Sequence, residues 1–212
     1  MIKKTLALSL IFFGAAASVS GAPVYIEKGI NIGLNLSSLS GRGLDLDWKT
    51  KVGFTAGGTL TFPLSDFFAI QPGIFYSQKG ARYQDVFAEG TVRTSMFLNY
   101  FDIPVVARFS LPLGMDSKIR PYLLGGASYS LKLSSKIRTD LVDYYETPLE
   151  EGDVEGIKKS GTNLVLGAGV DLLSPSGRFL FEVRYSRSLQ TISTEGPDIR
   201  LNVFSIIAGF SF

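Results

Sequence analysis

The sequence predicts an all-β fold, an eight-stranded antiparallel up-and-down barrel that crosses a membrane. Three observations predict it. Apolar residues recur with a period of two in segment after segment, the signature of strands with one apolar face. A short apolar leader heads the chain, and nothing after it is long enough for a membrane helix, which leaves a closed barrel as the spanning solution. The connections between segments alternate short and long, as in barrels with short inner turns and long outer loops.

The chain of 212 residues begins MIKKTLALSLIFFGAAASVSGAP. Lys3 and Lys4 form a basic head, Leu6 to Ala17 an apolar stretch, and Ser18, Ser20, Gly21 and Ala22 a small-residue tail. This predicts a signal peptide over 1–21, cleaved after Ser20 or Gly21, and a barrel domain over 22–212. The apolar stretch falls short of the ~20 residues that span a bilayer.

The first segment, INIGLNLS, sets Ile30, Ile32, Leu34 and Leu36 against Asn31, Gly33, Asn35 and Ser37. The second sets Phe54, Ala56, Gly58, Leu60 and Phe62 against Gly53, Thr55, Gly57, Thr59 and Thr61. The third, over 67–78, is less clean, with Phe67 and Phe75 opposite Phe68, Ile70, Ile74 and Tyr76. The fourth sets Phe101, Ile103, Val105, Ala107 and Phe109 against Tyr100, Asp102, Pro104, Val106 and Arg108. The fifth runs over 119–133, with Leu123, Tyr129, Leu131 and Leu133 opposite Tyr122, Leu124, Ser128 and Lys132. The sixth sets Leu164, Leu166, Ala168 and Val170 against Val165, Gly167, Gly169 and Asp171. The seventh sets Phe179, Phe181, Val183 and Tyr185 against Leu180, Glu182 and Arg184. The eighth ends the chain, with Phe204, Ile206, Ala208, Phe210 and Phe212 on one face. Closure of the sheet against lipid explains so apolar an ending.

The connections at 63–66, 111–118 and 174–177 are short, and those at about 38–50, 79–95, 134–161 and 189–198 are long. Ten strands are the alternative if 134–161 adds a hairpin. Aromatic residues near strand ends, among them Phe62, Phe67, Phe68, Tyr122, Phe179 and Tyr185, fit interfacial girdles. Inward glycines relieve crowding in a narrow barrel.

Composition excludes several functions. There is no Cys and no His, so thiol chemistry, disulfides and His-based acid–base catalysis are absent. Ser128, Ser130 and Lys132 share one face, which a polar lumen explains better than a Ser–Lys mechanism. The reading is therefore non-enzymatic, with no cofactor. Without Lys3 and Lys4, 19 basic residues balance 19 acidic ones, which gives no reason to propose nucleic acid.

Asp102, Arg108, Asp171, Glu182 and Arg184 fall on the inward faces. They are candidates for a lumen charge network, either a plug that satisfies itself or the lining of a narrow path. Buried charges must pair, so Glu182 and Arg184 are expected to find partners on adjacent strands. The stretch 140–155 has seven acidic residues and no basic one, around Tyr144 and Tyr145. It reads as a solvated loop, a partner contact through 134–161, or a calcium site, although its spacing does not match an EF-hand. Trp48 is an interfacial anchor or a contact residue.

The segments GINIGLNLSSLSG, GFTAGGTLTFPLSDFFAIQPGIFYSQKG, NYFDIPVVARFSLP and RPYLLGGASYSL resemble the outer-membrane β-barrel family that includes PorT-like and OmpX-like small barrels. The resemblance spans essentially the whole mature chain. It implies a bacterial outer-membrane location and no shared catalytic site. It also implies that Phe210 and Phe212 act as an assembly signal for the barrel insertion machinery. Three roles are compatible with it: external loops that contact a partner, ligand or the envelope; a PorT-like secretion or assembly component; and a small-solute channel.

Overall fold

The computed structural model describes residues 26–41, 49–87, 90–111, 117–142, 146–154, 156–194 and 198–212. The signal segment at 1–21 lies outside them. Nine strands follow in chain order: β1 (Glu27–Gly41), β2 (Lys49–Pro63), β3 (Phe68–Phe87), β4 (Gly90–Ser110), β5 (Ile119–Val142), β6 (Glu146–Asp153), β7 (Ser160–Ser174), β8 (Gly177–Ser188) and β9 (Ile199–Ser211). All pairings between them are antiparallel. β1 pairs with both β2 and β9, and β4 pairs with β5, so eight strands close a barrel in the order β1-β2-β3-β4-β5-β7-β8-β9.

The ten-strand alternative is thus corrected. The stretch 134–161 adds one strand, β6, which pairs only with residues 136–142 of β5 and never enters the barrel wall. Below that point β5 pairs with β7 instead, up to Leu131↔Ser160.

Period-two alternation sorts the wall into two faces. Ile30, Ile32, Leu34 and Leu36 point out, while Asn31, Asn35 and Ser37 are buried inside. On β9, Phe204 and Ile206 are exposed, and Val203, Ser205 and Ile207 are buried. The mixed third segment resolves with Phe75 inward and Ile74 outward. Two glycines make this arrangement fit. A Cβ on Gly57 or Gly73 would stand 2.8 or 2.9 Å from the Phe75 ring.

β3, β4 and β5 have 20, 21 and 24 residues, about twice the ~9–11 that a tilted strand needs to cross a bilayer. The stretches 79–95 and 134–161 are therefore largely strand rather than loop. Together with β6 they raise a four-stranded ridge beyond the apolar belt. A bulge marks where it begins. Asn99 pairs with Ser134 and Tyr100 with Lys132, so Leu133 is an extra residue on β5. The alternation flips there: Ser128 and Ser130 are buried below the bulge, and Ser135 above it.

Candidate functional site

An eight-stranded barrel has an interior that side chains just fill, and here they fill it with stacked charges. Near the turn end, Arg108 Nη2 pairs with Asp171 Oδ2, and both side chains are almost fully buried. The Arg108 guanidinium lies 3.5 Å over the Tyr122 ring. Asp171 also meets Arg178 at 3.4 Å, and Arg178 continues the chain to Glu27.

One layer up, Arg184 holds Glu182 through Nε at 2.7 Å and Nη2 at 2.6 Å. Tyr122 donates to Glu182 Oε2 at 3.0 Å. The expectation that Glu182 and Arg184 pair with adjacent strands is corrected. Two residues apart on one strand, they share the inward face and pair with each other. Glu182's other partner, Tyr122, comes from β5, across β7. Gly169 opens that crossing, because a Cβ there would meet the Tyr122 ring at 2.4 Å.

The next layer joins Asp102 to Lys79, whose Nζ lies 2.8 and 2.7 Å from its two carboxylate oxygens. Ser130 donates to Asp102 and accepts from Asn163 at 2.7 Å. Above it, Leu98, Tyr100, Leu201 and Val203 form an apolar cluster, with Leu39, Met96, Ile157 and Ile192 packed against it. Ile157 and Ile192 come from the connections before β7 and β9, which are tied together by Lys158 N–H donating to Ile192 O at 2.8 Å. Ile157 and Ile192 thus sit over the apolar cluster at the mouth as a lid. Two spaces inside the lumen measure about 40 and 20 Å³.

Lys79, Tyr122, Arg178 and Glu27 were missing from the set of charged candidates. Lys79 continues the inward register of Phe75 and Ser77, so a longer third strand would have included it. Tyr122, assigned to a girdle, is buried in the lumen instead. Its place opposite Leu123 in the alternation already pointed inward. Phe210 and Phe212 are on the outer wall at the turn end. The Phe210 ring packs at a tilt against Phe179, with centroids 4.9 Å apart, and stacks on Phe212 at 6.3 Å. Phe212 exchanges backbone hydrogen bonds of 2.9 and 3.0 Å with Lys28. Trp48, Tyr144 and Tyr145 lie outside the described residues, as do the side chains of 141–151. Among the described residues, no three acidic groups gather where they could hold a metal.

The family model for the outer membrane protein β-barrel domain matches residues 17–193. No curated protein sequence matches the chain. The attachment invasion locus protein Ail of Yersinia pestis is a similar solved structure, with 18% identity, 88% of this chain and 98% of that one covered, and a TM-score of 0.44. Neisserial surface protein A is similar at 14% identity, with 87% and 97% covered and a TM-score of 0.46. OprG of Pseudomonas aeruginosa is similar at 13% identity, with 89% and 97% covered and a TM-score of 0.45. With the family match across most of its length, the chain belongs to the outer membrane protein β-barrel domain family and is an integral outer-membrane barrel.

Proposed function

We propose that this is a non-enzymatic barrel with a shut lumen, whose raised ridge makes external contacts with a partner or ligand or supports the envelope. The observation that carries the reading is the lumen itself. Each of its three charged layers contains its own counter-ions, and an apolar lid closes the mouth. A conducting path would need a continuous wet column, whereas two spaces within the lumen measure only about 40 and 20 Å³. The small-solute channel is accordingly the weaker reading. The ridge, by contrast, raises β5 and β6 beyond the apolar belt, where a protein partner would dock. Phe210 and Phe212, stacked on the outer wall, are well placed for recognition by the insertion machinery. The leader at 1–21 would direct export and be removed.

The test is a pair of measurements on the full chain. In planar bilayers the barrel should show no steady conductance, and stable ion-conducting steps would refute the shut lumen. A photocrosslinker at exposed Lys136 on the ridge, activated in native outer membranes, should capture a reproducible partner that a crosslinker at periplasmic Ser65 does not. Capture from Ser65 alone would move the contact to the turns and favour a PorT-like assembly role. Capture from neither would refute a stable protein contact through the ridge.

A further inference from the structure

A cleft on the outward side of the ridge serves none of the lumen's interactions. It measures about 230 Å³ and is lined by Lys51, Val52, Arg82, Arg93, Ser95 and Asp140. Three of the six are cations, and the one acid, Asp140, is already held by Arg138 at 2.9 Å. The local fold gathers these cations deliberately. Between Thr50 and Thr55, β2 has one more residue than β3 opposite it, a bulge that re-aims Lys51. Lys51 then reaches across β3 at Gly80, where φ is +153° and a Cβ would stand 3.1 Å from Lys51 Cδ. Its ammonium ends 3.3 Å from the centre of the Phe97 ring on β4. Arg82 Nε is buried and makes no hydrogen bond among the described residues.

We propose that this cleft binds the phosphate of an outer-leaflet glycolipid headgroup. Position selects the lipid over a soluble anion. The cleft opens away from the lumen, and its floor, Val52, begins the column of exposed apolar residues that includes Phe54 and Leu60. A headgroup can therefore occupy the cleft while its acyl chains lie along the wall. The chemistry suits phosphate: a guanidinium offers a planar fork of donors, and the ammonium a compact charge. Lys51 and Arg82 repel each other when the cleft is empty, which an anion between them would relieve.

The test uses the full chain in zwitterionic detergent micelles, with lipid A as the probe and native mass spectrometry as the readout. Wild type should retain one diphosphorylated lipid A, with affinity reduced about 10-fold or more in Lys51→Gln and in Arg82→Gln, the loss expected for one charge-assisted contact. Lys118→Gln, at the opposite end, should bind as wild type. Each variant is first checked for folded migration on a cold gel. Should Arg82→Gln fail to fold, Arg82→Lys keeps the charge, loses the fork and should still weaken binding. Unchanged retention in the folded cleft variants would overturn the site. Equal retention of dephosphorylated lipid A would show that the acyl chains, not the phosphate, are bound. Inorganic phosphate displacing lipid A at equal concentration would show a soluble-anion site and overturn the headgroup assignment.

Discussion

Removing one member of the deepest ion pair should cost very different amounts depending on which member goes. Arg108 and Asp171 are 2% and 1% exposed. In Asp171→Leu, Arg108 loses its carboxylate and retains only the Tyr122 ring. An uncompensated buried charge costs about 3–5 kcal/mol. In Arg108→Met, Asp171 still has Arg178 at 3.4 Å, so the loss is closer to that of a charged hydrogen bond, about 1.5–3 kcal/mol. In the double variant the buried pair is replaced by apolar groups, which is often neutral, and Arg178 keeps Glu27. The single costs should therefore fail to add, with a coupling of at least about 2 kcal/mol. Equilibrium urea unfolding in lipid vesicles, followed by the shift between folded and unfolded gel bands, measures all four states. Equal single costs, or a double variant equal to their sum, would refute the account of how the layer is compensated.

The wall and the ridge should respond differently to the same change. Ala208→Arg puts a charge on the lipid face at a cost of about 2–4 kcal/mol near the midplane, so membrane yield should collapse. Gly152→Arg on β6, where a Cβ meets nothing within 4 Å, should leave yield unchanged, and equal yields would undo the face assignment. Gly169→Val must displace the Tyr122 ring, 2.4 Å from the new Cβ. It should lower stability by about 1–3 kcal/mol, and an unchanged urea midpoint would contradict the crossing. Lys51 is pushed down to about 8 from 10.5, by burial first and by Arg82 second. The other charged groups around it are Arg82, Arg93, Arg138 and Asp140. Lipid A affinity should thus fall as pH rises above about 8, more steeply than in Lys51→Arg, and matching profiles would exclude Lys51. Between about 8 and 10.5 the folded chain has lost this proton while the unfolded chain keeps it. Stability of the empty barrel should therefore rise with pH across that window.

The part of each strand that crosses the membrane was legible because lipid imposes a strict rule. One face must be apolar, so Ile30 to Leu36, or Phe204 to Phe212, reveals which residues face the lipid. Above the belt that rule lapses. Water reaches the outer face of the ridge, and segments such as TVRTSMF and SKIRTDLV lose their alternation, so their strands read as loops. Only the Thr, Val and Ile content hinted at them. Bulges added to the difficulty. Leu133 reverses the faces of β5, and the extra residue in β2 turns Lys51 outward. The inward charges could be read from alternation, but not which pairs with which. That depends on register between strands distant in sequence, as when Arg108 meets Asp171 63 residues away.

If the lumen is shut as proposed, the same geometry directs binding to the outside. Eight strands leave an interior only side chains wide, and a desolvated charge in so narrow a space demands a counter-charge of its own. Lys79, Arg108 and Arg184 find theirs in Asp102, Asp171 and Glu182. A solute entering there would have to break pairs that stabilise the wall. Arg82 and Lys51 face no such constraint. They stand above the belt, they crowd each other, and Asp140 beside them is taken by Arg138. Among the described residues neither Lys51 nor Arg82 has a carboxylate partner, and a cation so placed is the one available to an anion from outside. On this barrel such cations gather on the outward face of the ridge, at the rim of the lipid.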